Sequence, residues 1–218
     1  MKEASFRGHK FKFDETTWKP YTQISWFITD PTGDIAHRDK FFWPREGEVV
    51  IDVGASCGGP YAIPAAMCGA QVFAFEPDPD TFKALERNRT VNGLEERMDL
   101  MNVAVCETDG RIAFNGSLLT SVYENPNIQI VDCMTIDRFY FPQVDWLKID
   151  VEGARETIKR CKPKILIDLH PHLVPKIEHK ILDWFNDLHL YYNTHITPFS
   201  DRVQADLWYY RTFHYIDK

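Results

Sequence analysis

The sequence has no stretch approaching the roughly 18 consecutive apolar residues of a membrane-spanning helix, so insertion into a membrane is not expected. It also has no C-x-x-C pair. The five cysteines, Cys57, Cys68, Cys106, Cys133 and Cys161, are odd in number and widely spaced, which argues against a zinc site and predicts reduced, mostly buried thiols. Positive charge is not in excess either: the formal net charge is -7, leaving no overall basic field for phosphate backbones or anionic lipid, so a nucleic-acid partner is not expected. Met1 to Lys12 alternates charged residues with aromatics and lacks the apolar core of a signal peptide, which predicts a cytoplasmic location. Repeats and low-complexity tracts are absent as well.

A length of 218 residues and a 44% hydrophobic fraction suffice for one sizeable core. The composition changes character near Lys40. An aromatic-rich opening, residues 1–44, is expected to pack on the core, and the boundary falls between Pro44 and Glu48, with the main domain over 45–218. The aromatics Trp18, Tyr21, Trp26, Phe27, Phe41, Phe42 and Trp43 either form a platform for an acceptor or simply cover one end of the core, and Asp30-Pro31-Thr32-Gly33 reads as a plain turn.

From Val49 the pattern alternates. Val49–Val53 reads as a strand, followed by a small-residue loop and a helix that Pro60 could start, ending near Gly69. Gln71–Glu76 is the next strand and Asp78–Asn92 a helix, with Gly93 at its C-terminal end. Met98–Val105 reads as a third strand, with short ones at Arg111–Phe114 and Ile128–Cys133, and Asp145–Asp150 as a buried central strand. A helix over Ala154–Arg160, a strand over Lys164–His170 and a helix over Val174–Leu188 follow. The tail around Ile196 and Leu207–Phe213 supplies a closing antiparallel pair. This order predicts an α/β fold, with a mostly parallel sheet and helices on both faces.

In such sheets ligands lie beyond the carboxyl ends of the strands, and three strand ends are polar. The first is Asp52-Val53-Gly54-Ala55-Ser56-Cys57-Gly58-Gly59, where glycines let backbone approach a ligand. It lacks the second glycine of G-x-G-x-x-G. That disfavours a pyrophosphate, and with it a nicotinamide-dependent oxidoreductase, and suits the methionyl end of S-adenosyl-L-methionine. The second is Phe75-Glu76-Pro77-Asp78, where Glu76 ends a strand about 20 residues beyond the glycines, the place from which an acid accepts ribose hydroxyls. Each motif alone is also compatible with an ordinary turn or a buried capping acid; it is their spacing within one βαβ frame that points to a cofactor.

The third is Leu147-Lys148-Ile149-Asp150-Val151-Glu152-Gly153, in which alternation sets Lys148, Asp150 and Glu152 on one face. Charges on a central strand are costly unless paired or used, so this end holds either a buried ion-pair network or reacting groups. On the following strand, Asp168-Leu169-His170-Pro171-His172 places Asp168 and His170 on one face. His170 has the pKa for general-base work on a hydroxyl acceptor, with Asp168 orienting its ring and Asp150 positioning the acceptor. A magnesium ion between Asp150 and Asp168 is the alternative, disfavoured because carboxylates with a histidine are not a clean oxygen shell. Ordinary turn residues around a proline would also explain His170 and His172.

Val50-Ile51-Asp52-Val53-Gly54-Ala55, Phe75-Glu76-Pro77 and above all Leu147-Lys148-Ile149-Asp150-Val151-Glu152-Gly153-Ala154 resemble the hallmarks of the FkbM-type methyltransferases. The resemblance runs from about Glu48 to His170 and covers Asn102-Val103-Ala104, the Asp109-Gly110 turn, Gly116-Ser117 and Thr135-Ile136-Asp137. It implies a class I Rossmann-like methyltransferase fold, S-adenosyl-L-methionine as donor, and O-methylation of a sugar, glycolipid or secondary metabolite. The cofactor would lie against Asp52, Gly54, Ala55, Ser56, Gly58, Glu76, Pro77, Asp78, Asn102, Val103 and Asp150, with Asp150 and His170 catalytic. This chain departs from the family's Gly-Ala-Asn-x-Gly loop, having Ser56 and Cys57 there, and Pro60 and Pro64 make the next helix unusual. A module of the same fold that holds cofactor without turnover remains the other reading, and either could form homo-oligomers.

Overall fold

The computed structural model describes residues 1–14, 34–59, 61–114, 129–149, 154–169, 193–198 and 212–217. Its centre is a seven-stranded sheet built from β3 (Val49–Val53), β4 (Gln71–Phe75), β5 (Met98–Met101), β9 (Trp146–Ile149), β10 (Lys164–Leu169), β11 (Asn193–Pro198) and β12 (Thr212–Asp217). The order across the sheet is β11-β12-β10-β9-β3-β4-β5. Strands β5, β4, β3, β9 and β10 are mutually parallel, while β12 runs antiparallel to both its neighbours, β10 and β11. The order reverses between β3 and β9, so the chain leaves these adjacent strands in opposite directions along the sheet, and their carboxyl ends are where sheets of this kind take ligands.

Period-two alternation divides the core. Val50, Val72, Ala74, Trp146 and Leu166 face one apolar cluster, and Ile51, Phe73, Phe75, Leu147, Ile149 and Ile165 face the other. The first is covered by α2 (Ala62–Met67), α3 (Pro79–Val91) and an N-terminal hairpin of β1 (Lys2–Phe6) and β2 (His9–Phe13). The second is covered by α4 (Arg155–Cys161) and a 3-10 turn over Ile136–Phe139. Asp137, inside the Thr135-Ile136-Asp137 motif, caps the start of α4, its carboxylate accepting from the amides of Glu156 and Thr157 at 3.0 and 2.6 Å.

The expected α/β architecture holds, with local corrections. The hairpin was not foreseen. Phe11 and Phe13 alternate inward and are buried, and the turn at Arg7 and Gly8, with φ of 51° and 85°, is of the kind that suits a two-residue hairpin. A short helix, α1 (Asp34–Phe41), leads from the opening to Phe42, which packs edge-on against Tyr61 and Trp146.

The strand expected over Met98–Val105 is two strands. β5 ends at Met101, and β6 (Ala104–Val105) leaves the main sheet to join β8 (Gln129–Met134) and β7 (Gly110–Phe114) in a three-stranded sheet. The break is at Asn102, whose side-chain amide donates to the carbonyls of Glu76 at 2.8 Å and Pro77 at 3.2 Å. Cys106 and Cys133, read from sequence as free thiols, are joined in a disulfide, with Cα atoms 5.9 Å apart, because the parallel pairing of β6 with β8 brings them alongside; Cys57, Cys68 and Cys161 are free. The closing pair forms as β11 with β12, the second strand lying at Thr212–Asp217, farther along than Leu207–Phe213. The helix expected over 174–188 and the helix start at Pro60 lie outside the described residues. Among the described residues no helix is long and apolar enough to cross a membrane.

Candidate functional site

The site is assembled by the ends of β3, β4, β5 and β9. After Val53 the chain turns on Gly54 (φ 72°), Ser56 (φ 53°) and Gly58 (φ 87°), three residues in the left-handed region within five positions. The amides of Gly54 and Ala55 both donate to the Phe75 carbonyl at 2.9 Å, which folds the loop over the end of β4. Gly58 cannot be replaced without cost, since a Cβ there would stand 2.8 Å from Ile63 and 2.9 Å from Leu85.

Glu76 is the next residue after β4 and is 6% exposed. One carboxylate oxygen accepts from the Ser56 amide and the other from the Asp78 amide, both at 2.9 Å. Burial pushes this carboxyl up to about 7, an effect that the two amides and the Lys148 ammonium oppose. Each oxygen therefore spends one acceptor position on the backbone and retains another for a hydroxyl donor. Asp78 is also buried, and its carboxylate caps α3 by accepting from Asp80 and Thr81 at 3.1 and 2.8 Å. Its role in the structure is that of an N-cap, with Pro79 following at the first helical position.

Asp52 is 1% exposed and pairs in register with Lys148 across β3 and β9. The Lys148 ammonium stands 3.7 Å from the Asp52 carboxylate and donates to the carbonyls of Val53 at 2.8 Å and Gly54 at 3.2 Å. Lys148 is thus ion-paired with Asp52 at the point where the sheet order reverses. Burial pushes the Cys57 thiol up to about 12, so it stays protonated at neutral pH and is no nucleophile.

The structure therefore brings Asp52, Gly54, Ala55, Ser56, Gly58, Glu76, Pro77, Asp78 and Asn102 together around three adjacent strand ends, with Val103 packed against the apolar cluster beneath them. Asp150, Glu152, His170 and His172 lie outside the described residues. Asp168 is in β10, its backbone opposite Phe213 of β12. Among the described residues no group of three or more His, Cys, Asp or Glu is arranged to hold a metal ion. Sequence reasoning missed Asn88. Fully buried on α3, it donates to the Cys57 carbonyl at 2.9 Å and accepts from the Asp14 amide at 2.7 Å, tying the glycine loop to the end of the hairpin. The available signal was an asparagine in a helix interior, where its intrinsic propensity is poor.

A parallel sheet whose order reverses at its first strand, with one antiparallel strand inserted beside the last, is the class I methyltransferase architecture. Solved structures agree on the fold: TYW2 of M. jannaschii, determined in complex with AdoMet, superposes with a TM-score of 0.51 at 14% identity over 98% of this chain and 84% of that one. The precorrin-6y C5,15-methyltransferase of Geobacter metallireducens gives 0.50 at 12% identity over 94% and 92%. Residues 52–192 match the methyltransferase FkbM domain, and the chain belongs to that family. Hexuronic acid methyltransferase AglP of Haloferax volcanii is 28% identical over 153 residues, 63% of this chain and 62% of AglP. The tRNA (guanine(37)-N(1))-methyltransferase of Danio rerio is 29% identical over 108 residues, 50% of this chain and 19% of its own length. The chain thus spans less than two thirds of the length of either relative.

Proposed function

We propose that this chain is an S-adenosyl-L-methionine-dependent O-methyltransferase acting on a hydroxyl of a small, sugar-like acceptor. The observation that carries the reading is the Glu76 carboxylate, held at the end of β4 by the Ser56 and Asp78 amides with acceptor capacity to spare beside a loop of left-handed turns. Glu76 takes the ribose hydroxyls, Asn102 and Pro77 form the floor under the nucleoside, and Gly54, Ala55, Ser56 and Gly58 let backbone approach the methionyl end. The donor supplies an electrophilic methyl group on a sulfonium, so the protein's work is alignment, exclusion of water and removal of the acceptor's proton. Asp150 positions the acceptor hydroxyl and His170 takes its proton, with Asp168 orienting the ring.

The family supports methyl transfer, and the hexuronic acid methyltransferase AglP supports an acceptor of carbohydrate type. The likeness to the tRNA enzyme covers at most half of this chain and a fifth of that protein, and a net charge of -7 provides no general attraction for RNA.

Calorimetric titration with S-adenosylhomocysteine, with NAD as comparison ligand, tests the cofactor. Saturable binding that Glu76→Ala weakens at least tenfold is the expected result, and no binding, or preference for NAD, overturns the reading. Transfer of labelled methyl to uronic acid glycosides, retained in EDTA and lost in Asp150→Asn with binding intact, distinguishes an enzyme from a cofactor-holding module and from the magnesium-dependent alternative.

A further inference from the structure

Lys148 is the least ordinary residue of the site: an ammonium on the central strand, 9% exposed, facing the end of a neighbouring strand. We infer that Lys148 is the positioning residue for the cofactor loop, clamping the Val53 and Gly54 carbonyls and the Asp52 carboxylate so that the turn after β3 keeps its shape. The inference rests on the proposed function for the identity of the ligand but not for the clamp itself.

Three observations carry it. The left-handed turn at Gly54 points two successive carbonyls to the same side, and Lys148 reaches both, at 2.8 and 3.2 Å. Without the ammonium, both strand-end carbonyls would lose a donor that they share in a largely buried place. Lys148 also lies directly across from Asp52 in the β3–β9 register and 3.7 Å from its carboxylate, so the clamp spans the reversal of strand order. Finally, its ammonium is 3.6 Å from where a Cβ on Gly54 would stand, an ordinary contact distance, so the lysine packs directly against the loop.

The position of Lys148 gives the clamp a consequence beyond structure. Lys148 stands two residues before Asp150 on the chain, so the strand that shapes the donor loop ends one residue before the acid proposed for the acceptor side. Its charge also reaches Glu76. The groups around that carboxyl are the Ser56 amide and the protonated Cys57 thiol from the glycine loop, the Asp78 amide and carboxylate from the start of α3, and the Lys148 ammonium from β9. Lys148 is the cation of this set, and it favours the ionised form of Glu76, which is the better acceptor for hydroxyls.

The test compares wild type with Lys148→Met, which removes charge and donors, Lys148→Gln, which keeps a donor, and Lys148→Arg, which keeps the charge. In ligand-free protein, amide exchange at 54–56 is expected to accelerate at least tenfold in Lys148→Met. The Glu76 midpoint, followed by carboxyl carbon NMR, moves upward in Lys148→Met and Lys148→Gln and returns towards wild type in Lys148→Arg. With S-adenosylhomocysteine, Lys148→Met weakens binding at least tenfold at pH 7 and less at pH 8.5, a pH dependence that a general loss of stability does not produce. Unchanged exchange and an unchanged Glu76 midpoint in a folded Lys148→Met or Lys148→Gln chain would overturn the clamp. A wild type that shows the clamp in these two measurements but does not bind S-adenosylhomocysteine would overturn the functional reading instead.

Discussion

Glu76 makes the site sensitive to pH. Its carboxyl is held near 7 in the folded chain against an ordinary value of 4.5, so between these values the folded state keeps a proton that the unfolded state has lost. Stability therefore falls as pH rises from about 4.5 to about 7, by on the order of 3 kcal/mol, and is level above that. Urea denaturation at a series of pH values should show this slope, and Glu76→Gln, which cannot ionise, should flatten it whatever its absolute stability. Affinity for S-adenosylhomocysteine is expected to run the other way, rising through pH 7 as the carboxylate forms. Gly58→Ala is a second test at this scale: a side chain at φ 87°, with Ile63 and Leu85 inside 3 Å of its Cβ, should cost about 2–4 kcal/mol of unfolding free energy. Asp52, Glu76 and the glycines were legible in the sequence because each ends an apolar run, a local signal. The partners of Lys148 were not, since alternation gives the face on which a side chain stands but not the register of the strand beside it.

Elements with strong local signals formed where the sequence placed them. α3 is the clearest, because Asp78, Pro79, Asn92 and Gly93 mark its ends with side-chain and backbone chemistry that needs no tertiary context. The hairpin, β5 and β6 were misread for the opposite reason. β1 and β2 are five residues each, and besides the buried Phe6, Phe11 and Phe13 they are held by two asparagines distant in sequence: Asn92 exchanges hydrogen bonds with the Lys12 amide and carbonyl, and Asn88 accepts from Asp14. The split after Met101 likewise depends on a side chain, Asn102, reaching another strand end. Asn88→Ala should leave the Cys57 carbonyl and the Asp14 amide without this partner and cost about 2 kcal/mol. Amide exchange should then quicken at Asp14 and in the glycine loop together, whereas exchange confined to the hairpin would show that Asn88 does not couple the two.

For the whole molecule, the alternation of β and α segments carried the sheet class, but not the insertion of β12 between β10 and β11. Order across a sheet is decided by which edges remain open after the parallel strands have paired, and residues 193–217 contain no local mark of that. If the strand ends hold the proposed cofactor, S-adenosylhomocysteine at one hundred times its Kd should stabilise the chain by about 2.7 kcal/mol, whereas NAD at the same concentration should not. Thermal and urea unfolding with each ligand check this without an acceptor in hand.

The hairpin and α1 also bear on how this protein relates to its kin. Phe6, Phe11, Phe13 and Phe42 fill the same cluster as Val50, Ala65 and Leu85, yet all four lie before residue 52, where the family match begins. What is inherited in common and what folds together are different lengths of chain. A graft of 52–192 into another protein would carry the glycine loop and Glu76 but would leave one face of the sheet without its aromatic plug. Anyone exchanging such segments among these proteins would need to supply that plug from the host.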